Sequence, residues 1–364
     1  MDLVDEESLS HFDPSRYYPA RIGDSIGSSC IIRSKLGYGR SSTTWLCQDL
    51  NKHFKVLKIL TADATSHEAQ ALKHIEQCSS SQEHPGKYCV RRSNQIFSIT
   101  SNGRVHQCFL FEPLGASLLE FTKAIPRNSF GSHNVRWITT YLLHAMDFLH
   151  SNGVVHTDIK LDNIQMTLPN DEEEFLNSFI AAETHHTSYV KQINSDLPIY
   201  RSRQMVQDEL GYPILCDLGS AVLGTSYHKG LAQALPYRAP EVIFGADWNS
   251  KIDVWNLGVL IWELLFGERI FGQTDELSSV SLMVQYLGLP PKSFLGRCAA
   301  SQAFFDEKGD WKHGDISAIH IEDRVEAEAT MPLLFDFMRC MWRWDPDDRI
   351  SASELLKHPW LHTG

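Results

Sequence analysis

Four short strings in this chain carry side chains suited to handling phosphate. His156-Thr157-Asp158-Ile159-Lys160-Leu161-Asp162-Asn163-Ile164 sets a carboxylate, an ammonium and an amide in one nonapeptide, and Cys216-Asp217-Leu218-Gly219 adds a second carboxylate. Upstream lie Gly37-Tyr38-Gly39 and Val56-Leu57-Lys58. Phosphoryl transfer needs phosphates held, their charge neutralised and a hydroxyl oriented. Asp158 is the candidate base for the hydroxyl, and Lys160 would stabilise the group in transfer. Asn163 and Asp217 offer the oxygen donors that Mg²⁺ favours. Gly37 and Gly39 let a backbone turn approach a triphosphate closely. Lys58 lies in the apolar string Val-Leu-Lys-Ile, where an ammonium is costly without a partner. It is expected to serve α- and β-phosphates together with a helix carboxylate. Glu68, at the start of the next helical pattern, is the expected carboxylate, and Glu76 is the rival about two turns later.

Taken singly, each residue has a plainer reading: a turn glycine, a turn Asp or Asn, a surface helix glutamate. Their order and spacing argue against that. Two other nucleotide folds are excluded. A P-loop needs G-x-x-x-x-G-K-[ST], which is absent, and a dinucleotide fold needs the glycine turn to open a helix. Here Thr43-Thr44-Trp45-Leu46 continues as a strand, and Ser42 stands where a third glycine would be.

The elements that must position these groups follow from pattern. Residues 1–28 are polar and read as a poorly ordered lead-in. Strand patterns then run from Cys30 through the glycine turn, over Thr43 to Leu50, and from Phe54 to Ile59. A helix is predicted over Ser66 to Gln77 with Ser66 as its cap. Asn102-Gly103 reads as a hairpin turn, before the strand Cys108-Phe109-Leu110-Phe111. Helix periodicity dominates thereafter, over Asn134–His150, Ile252–Phe266, Leu277–Leu287 and Pro332–Trp342. Asp171 to Gly211 is acidic with weak periodicity and reads as an insert or surface loop. The segment from Ser351 to Leu361 opens on a capping box and stops at Pro359.

Composition sets the bounds. The chain has 364 residues, 43% hydrophobic, with a net charge of −12, which argues against direct nucleic-acid binding. No apolar stretch reaches membrane-spanning length. The acidic start, Met1 to Glu7, lacks a signal pattern, so an intracellular protein, cytoplasmic and/or nuclear, is the expectation. The eight cysteines form no C-x-x-C pair and read as buried thiols. The seventeen histidines include no H-E-x-x-H. Trp248, Trp255, Trp262, Trp342 and Trp344 read as core.

With Tyr237-Arg238-Ala239-Pro240-Glu241 downstream, the motifs resemble the eukaryotic protein kinase superfamily over roughly Cys30 to Leu361. The resemblance implies an α+β bilobal protein kinase fold. A small antiparallel-sheet lobe with one αC-like helix would span 29–114. A mostly helical lobe would span 115–361, carrying the insert at 171–211 and followed by a tail at 362–364. It implies ATP and Mg²⁺ as cofactors and Asp158, Lys160, Lys58 and Glu68 as catalytic residues. Nucleotide would be bound by Leu36, Gly37, Gly39, Thr44, Lys58, Glu112, Leu114 and Asn163, with Asn163 and Asp217 on the metal and Phe111 as gatekeeper. Lys160 resembles the serine/threonine class. Glu241 would pair with Arg349, and Asp253 would brace the catalytic loop; both are scaffold roles.

Within the superfamily, Leu36-Gly37-Tyr38-Gly39, Ser42-Thr43-Thr44-Trp45-Leu46, Phe109 to Gly115 and Asp217-Leu218-Gly219-Ser220-Ala221 resemble the SR-protein kinases in a short fungal-type form. That likeness implies protein substrates with Ser/Thr acceptors, basic or Arg/Ser-rich, and a monomeric enzyme. Three departures stand out. The spacer is reduced to 171–211, the acidic docking segment is reduced to Asp275 and Glu276, and Thr44 replaces a valine of the adenine pocket. Thr157 replaces the arginine that usually holds an activation-loop phosphate, so activity without that phosphorylation is expected. Two alternatives remain: a pseudokinase-type binding scaffold, against which Lys58, Asp158, Asn163 and Asp217 all speak, and a small-molecule kinase, against which the Ala-Pro-Glu string, Asp253 and Arg349 speak.

Overall fold

The computed structural model describes residues 3–27, 30–62, 64, 67–81, 83–194, 196–272, 274–324 and 331–363. In chain order, β1 (Ser25–Ile26), β2 (Cys30–Gly39), β3 (Ser42–Gln48) and β4 (Phe54–Leu60) precede α1 (His67–Ser81). Next come β5 (Ser93–Ser101), β6 (Arg104–Phe111), α2 (Leu118–Ala124), α3 (Ser132–Ser151), β7 (Val154–Val155) and β8 (Ile164–Met166). Then follow α4 (Glu172–His185), β9 (Val190–Gln192), β10 (Pro198–Tyr200), β11 (Pro213–Leu215) and β12 (Val222–Leu223). The chain ends on α5 (Pro240–Ile243), α6 (Lys251–Phe266), α7 (Glu276–Leu287), α8 (Lys292–Leu295), α9 (Met331–Met341) and α10 (Ala352–Leu355). Among the described residues no helix is long and apolar enough to cross a membrane.

The contacts divide the chain into two compact units. The first comprises Met1–Glu76, Arg91–Ala116 and Gln165–Tyr212; the second comprises Gln77–Val90, Ser117–Ile164 and Pro213–Gly364.

The first unit is built on a six-stranded sheet in the order β1-β2-β3-β4-β6-β5, antiparallel throughout. Asn102 (φ 49°) and Gly103 (φ 75°) close the β5–β6 hairpin, the two-residue turn that Asn-Gly predicts. One apolar cluster on this sheet joins Ile26, Ile32, Trp45, Leu57, Ile59 and Leu110. Two sequence expectations change here. The segment read as a poorly ordered lead-in is packed: Val4, Tyr17 and Ala20 are buried, with short 3₁₀ turns at Asp5–Ser8 and Pro14–Arg16. The 171–211 stretch, read as an insert or surface loop, contains α4 and the antiparallel β9–β10 hairpin. Only Leu176 and Glu183 of α4 are buried, which is why its periodicity is weak in sequence. The predicted cap Ser66 lies outside the described residues, and α1 covers the helix expected after it.

The second unit is helical. α6 is apolar all round and buried from Ile252 to Leu264, and α3 and α9 pack against it. Gly258 lets α6 meet an indole: a Cβ there would come within 2.5 Å of Trp342 Nε1. The five tryptophans read as core are all buried. The capping box at Ser351 and Glu354 forms, but it opens only the short α10 rather than a helix running to Pro359. No cysteine is in a disulfide, and six are buried. Burial pushes the thiols of Cys89, Cys108 and Cys298 up to about 11, 12 and 12.

Candidate active site

Sheet register assembles the residues of the first unit that are expected to bind nucleotide. Gly37 lies opposite Thr44, Thr44 opposite Lys58, and Lys58 opposite Phe109. Directly opposed residues share a face, so one cross-strand row carries the loop glycine, the threonine and the lysine. Register shifts in β2 fall between Ile32 and Ser34 and again between Lys35 and Gly37, a bulge that re-aims the strand at Leu36. A Cβ on Gly37 would meet nothing within 4 Å, and one on Gly39 only Ser42 Oγ at 3.8 Å. Internal packing therefore does not require either glycine, which fits their use for close approach of a ligand.

Lys58 Nζ donates to both carboxylate oxygens of Glu68, at 2.7 and 2.9 Å. Glu68 is 5% exposed, whereas Glu76 is exposed. The expected pair is thus the one that forms. Phe111 is buried. Glu112 is exposed, and its side chain accepts from Lys55 Nζ at 2.5 Å and Asn94 Nδ2 at 2.9 Å. Leu114 is half-buried two residues on.

In the second unit the catalytic-loop string forms an interlocked set of hydrogen bonds. Lys160 Nζ lies 2.8 Å from Asp158 Oδ2, and Asn163 Nδ2 donates to the same oxygen at 2.9 Å and to the Asp158 carbonyl at 2.8 Å. Two donors on Oδ2 hold the Asp158 carboxylate in place. Asp253, fully buried in the first turn of α6, braces the loop from beneath, accepting from His156 N and Thr157 N at 2.8 Å each. His150 Nε2 lies 2.9 Å from the same carboxylate.

Thr157 carries φ 68°, a costly conformation for a β-branched residue. It is held by the Asp253 contact and by its hydroxyl, which donates to the Ser220 carbonyl at 2.8 Å. Asp217 also has positive φ (64°), and its Oδ1 accepts from Gly219 N at 3.3 Å. Cys216 N donates to the Asn163 carbonyl at 2.8 Å. That bond ties the strand before Asp217 to Asn163.

Magnesium fits this donor set. The Asn163 amide nitrogen is turned to Asp158, so its carbonyl oxygen is the atom left for a cation. Asp217 supplies a carboxylate from the loop after β11, and hard oxygen donors completed by phosphate suit Mg²⁺. Among the described residues no group of three or more His, Cys, Asp or Glu could hold a metal by itself.

The scaffold pair is present as expected. Arg349 Nη1 and Nη2 donate to the two oxygens of Glu241 at 2.6 Å each, with both side chains fully buried. The two acids expected as a docking segment are engaged internally. Asp275 caps α7 through Ser278 N at 2.8 Å, and Glu276 pairs with Arg238 at 2.8 Å. Sequence reasoning missed His150 and Lys35. Lys35 follows Arg33 and Ser34 in a mixed strand, so the apolar string that marks Lys58 does not mark it.

The profile of the protein kinase domain matches residues 31–179 and 205–361. The chain is 35% identical over 374 residues to a serine/threonine protein kinase of Aspergillus fumigatus, covering 98% of this chain and 91% of that one. It is 27% identical to the serine/threonine-protein kinase SRPK of Physarum polycephalum, covering 99% and 92%. The crystal structure of a kinase domain superposes with a TM-score of 0.72 at 21% identity, covering 96% of this chain and all of that one, which shows the bilobal kinase fold. The chain belongs to the protein kinase family, and its relatives are serine/threonine kinases of the SR-protein kinase-like group.

Proposed function

We propose that this chain is a catalytically active serine/threonine protein kinase, a non-specific ATP:protein phosphotransferase. It moves the γ-phosphoryl of ATP to Ser/Thr hydroxyls of basic, Arg/Ser-rich protein segments, without needing a phosphate on its own activation loop. The observation that carries the reading is the fixed Asp158 carboxylate, doubly held on Oδ2 by Lys160 and Asn163.

Asp158 Oδ1 orients the acceptor hydroxyl. The hydroxyl oxygen forms a bond to the γ-phosphorus as the bond from phosphorus to the β–γ bridging oxygen breaks, and the hydroxyl proton passes to Asp158. Lys160 donates toward the group in transfer, and Lys58, steadied by Glu68, serves the α- and β-phosphates. Asn163 and Asp217 would hold magnesium, which would supply neutralisation of the phosphate charge.

Independence from activation-loop phosphate rests on what replaces it. Thr157 closes onto Ser220 with a neutral hydrogen bond. The carboxy end of the activation segment is tied by Gln233 and Arg238. Gln233 Oε1 accepts from Ala239 N at 2.9 Å and its Nε2 donates to the Ile252 carbonyl at 2.9 Å. Arg238 is spent on the carbonyls of Ala232 and Gln233 and on Glu276. The net charge of −12 and the SRPK relative support a basic substrate; the Asp275–Glu276 pair does not, since both acids already have partners.

Exhaustive phosphatase treatment is expected to leave transfer to an Arg/Ser-repeat peptide within about twofold, and that peptide is expected to outrun a generic basic serine peptide. Loss of activity after phosphatase would overturn the activation-loop claim. An intact, nucleotide-binding protein that transfers to no substrate would favour the scaffold reading instead.

A further inference from the structure

The family match leaves out the residues before 31 and those from 180 to 204. In the structure these two stretches meet each other. Val4, Tyr17, Leu197 and Ile199 form a buried apolar cluster of their own, with Phe12 and Ile193 packed against it. Glu7 pairs with Lys191 at 2.8 Å, and Asp5 Oδ2 accepts from Ser202 N at 2.8 Å.

Both stretches converge on Lys35, two residues ahead of Gly37. Its side chain is 1% exposed. Nζ lies 2.5 Å from Glu6 Oε2 and 3.3 Å from Asp5 Oδ2, and it donates to the Tyr200 carbonyl at 2.9 Å. The rings of Tyr38 and Trp45 lie 5.4 and 6.0 Å from it. A buried ammonium is tolerated only when paired and hydrogen-bonded, and here both counter-charges come from the amino-terminal turn. Burial pushes the Glu6 carboxyl up against the pull of Lys35.

The second stretch holds the same strand. Arg203 N donates to the Lys35 carbonyl at 2.9 Å, and Ser34 Oγ donates to the buried Glu183 at 3.1 Å. Beyond the loop, Tyr17 OH donates to the Gly39 carbonyl at 3.2 Å. The Gly37–Gly39 loop is therefore anchored on both sides by residues outside the family match.

We propose that the amino-terminal turn and the 180–204 stretch form one in-cis clamp that sets the position of the Gly37–Gly39 loop, with Glu6, Lys35 and Tyr17 as positioning residues for the nucleotide. The proposal rests on the kinase reading above for what the loop binds. Glycines leave a loop with much conformational entropy. Ordering it in advance lowers the cost of closing on a ligand. Such an effect enters nucleotide affinity rather than the transfer step.

The test titrates Mg-ATP directly into the full chain and measures steady-state transfer beside it. Tyr17→Phe removes one hydroxyl and leaves the buried charges intact. Glu6→Gln with Lys35→Met removes the closer ion pair as a unit, while Asp5 keeps its hydrogen bonds from Ser202. Each lost tie is worth about a hydrogen bond, so Kd for Mg-ATP is expected to rise roughly 3-fold for Tyr17→Phe and about 5- to 10-fold for the double variant. kcat is expected to stay within about twofold and the peptide KM unchanged. A merely structural role would lower the melting temperature and leave Kd alone. Unchanged Kd in both variants overturns the clamp. A wild-type protein that binds Mg-ATP but transfers nothing would overturn the kinase reading, while the Kd shifts still decide the clamp.

Discussion

At Asp158 the chain spends an ammonium and an amide donor on one carboxylate oxygen, and the proposed chemistry uses the other. That arrangement was legible in sequence because all three residues lie in one nonapeptide, where spacing alone brings them together. Lys58 and Glu68 were legible for a different reason: a lysine in an apolar strand needs a partner, and the next helix offers one in its first turn. Lys35 was not legible: Arg33 and Ser34 precede it in a mixed strand, and its partners Glu6 and Asp5 come from a segment whose composition suggests loose chain. The Glu241–Arg349 pair is a further residue-scale case. Both ions are fully buried and the arginine also reaches the carbonyls of Arg343, Lys251 and Trp344. Arg349→Ala strands a buried carboxylate. It is expected to cost about 3–5 kcal/mol, seen as a melting temperature lower by roughly 10 °C. A drop of under about 2 °C would show that the pair does not hold the second unit together.

Among the elements, β2 has the heaviest duty, since it carries the glycine loop at one end and accepts the amino-terminal turn and the 180–204 stretch along its length. Sequence patterns found β2 but not its covering. Val4, Phe12 and Tyr17 show no periodicity, and their partners Ile193, Leu197 and Ile199 lie far along the chain. Acid is expected to loosen this covering before it reaches the helical core. For Glu183, burial pushes the carboxyl up, but hydrogen bonds from Ser188, Arg203 and Ser34 outweigh it and hold it low. For Glu7 too, burial pushes the carboxyl up, but Lys191 and the Val4 amide together outweigh it and hold it low. A lowered native value means stability that is present above the ordinary glutamate range and lost as pH falls below about 4. Glu6 runs the other way, since burial raises it, so it loses nothing in acid; two ties weaken against one that does not. Amide exchange corrected for intrinsic rate should show protection at 190–203 falling by about pH 3.5 while α6 keeps its protection. Equal loss in both would contradict the assignment.

Across the whole molecule, the residues proposed for the chemistry fall in both units. The first holds the glycine loop, Lys58 and Glu68; the second holds Asp158, Lys160, Asn163 and Asp217. The strand-rich amino half and helix-rich carboxy half were legible from periodicity. The assignment of 165–212 to the first unit was not, because contact with a distant strand leaves no local pattern. The measurement that bears most directly on the account is phosphoryl transfer from Mg-ATP to an Arg/Ser-repeat peptide by wild type and Asp158→Asn. Wild type is expected to transfer phosphate, and the variant to lose on the order of 10³-fold in kcat with Mg-ATP affinity retained. Equal rates from both proteins, or no transfer by a folded wild type that binds Mg-ATP, would contradict it.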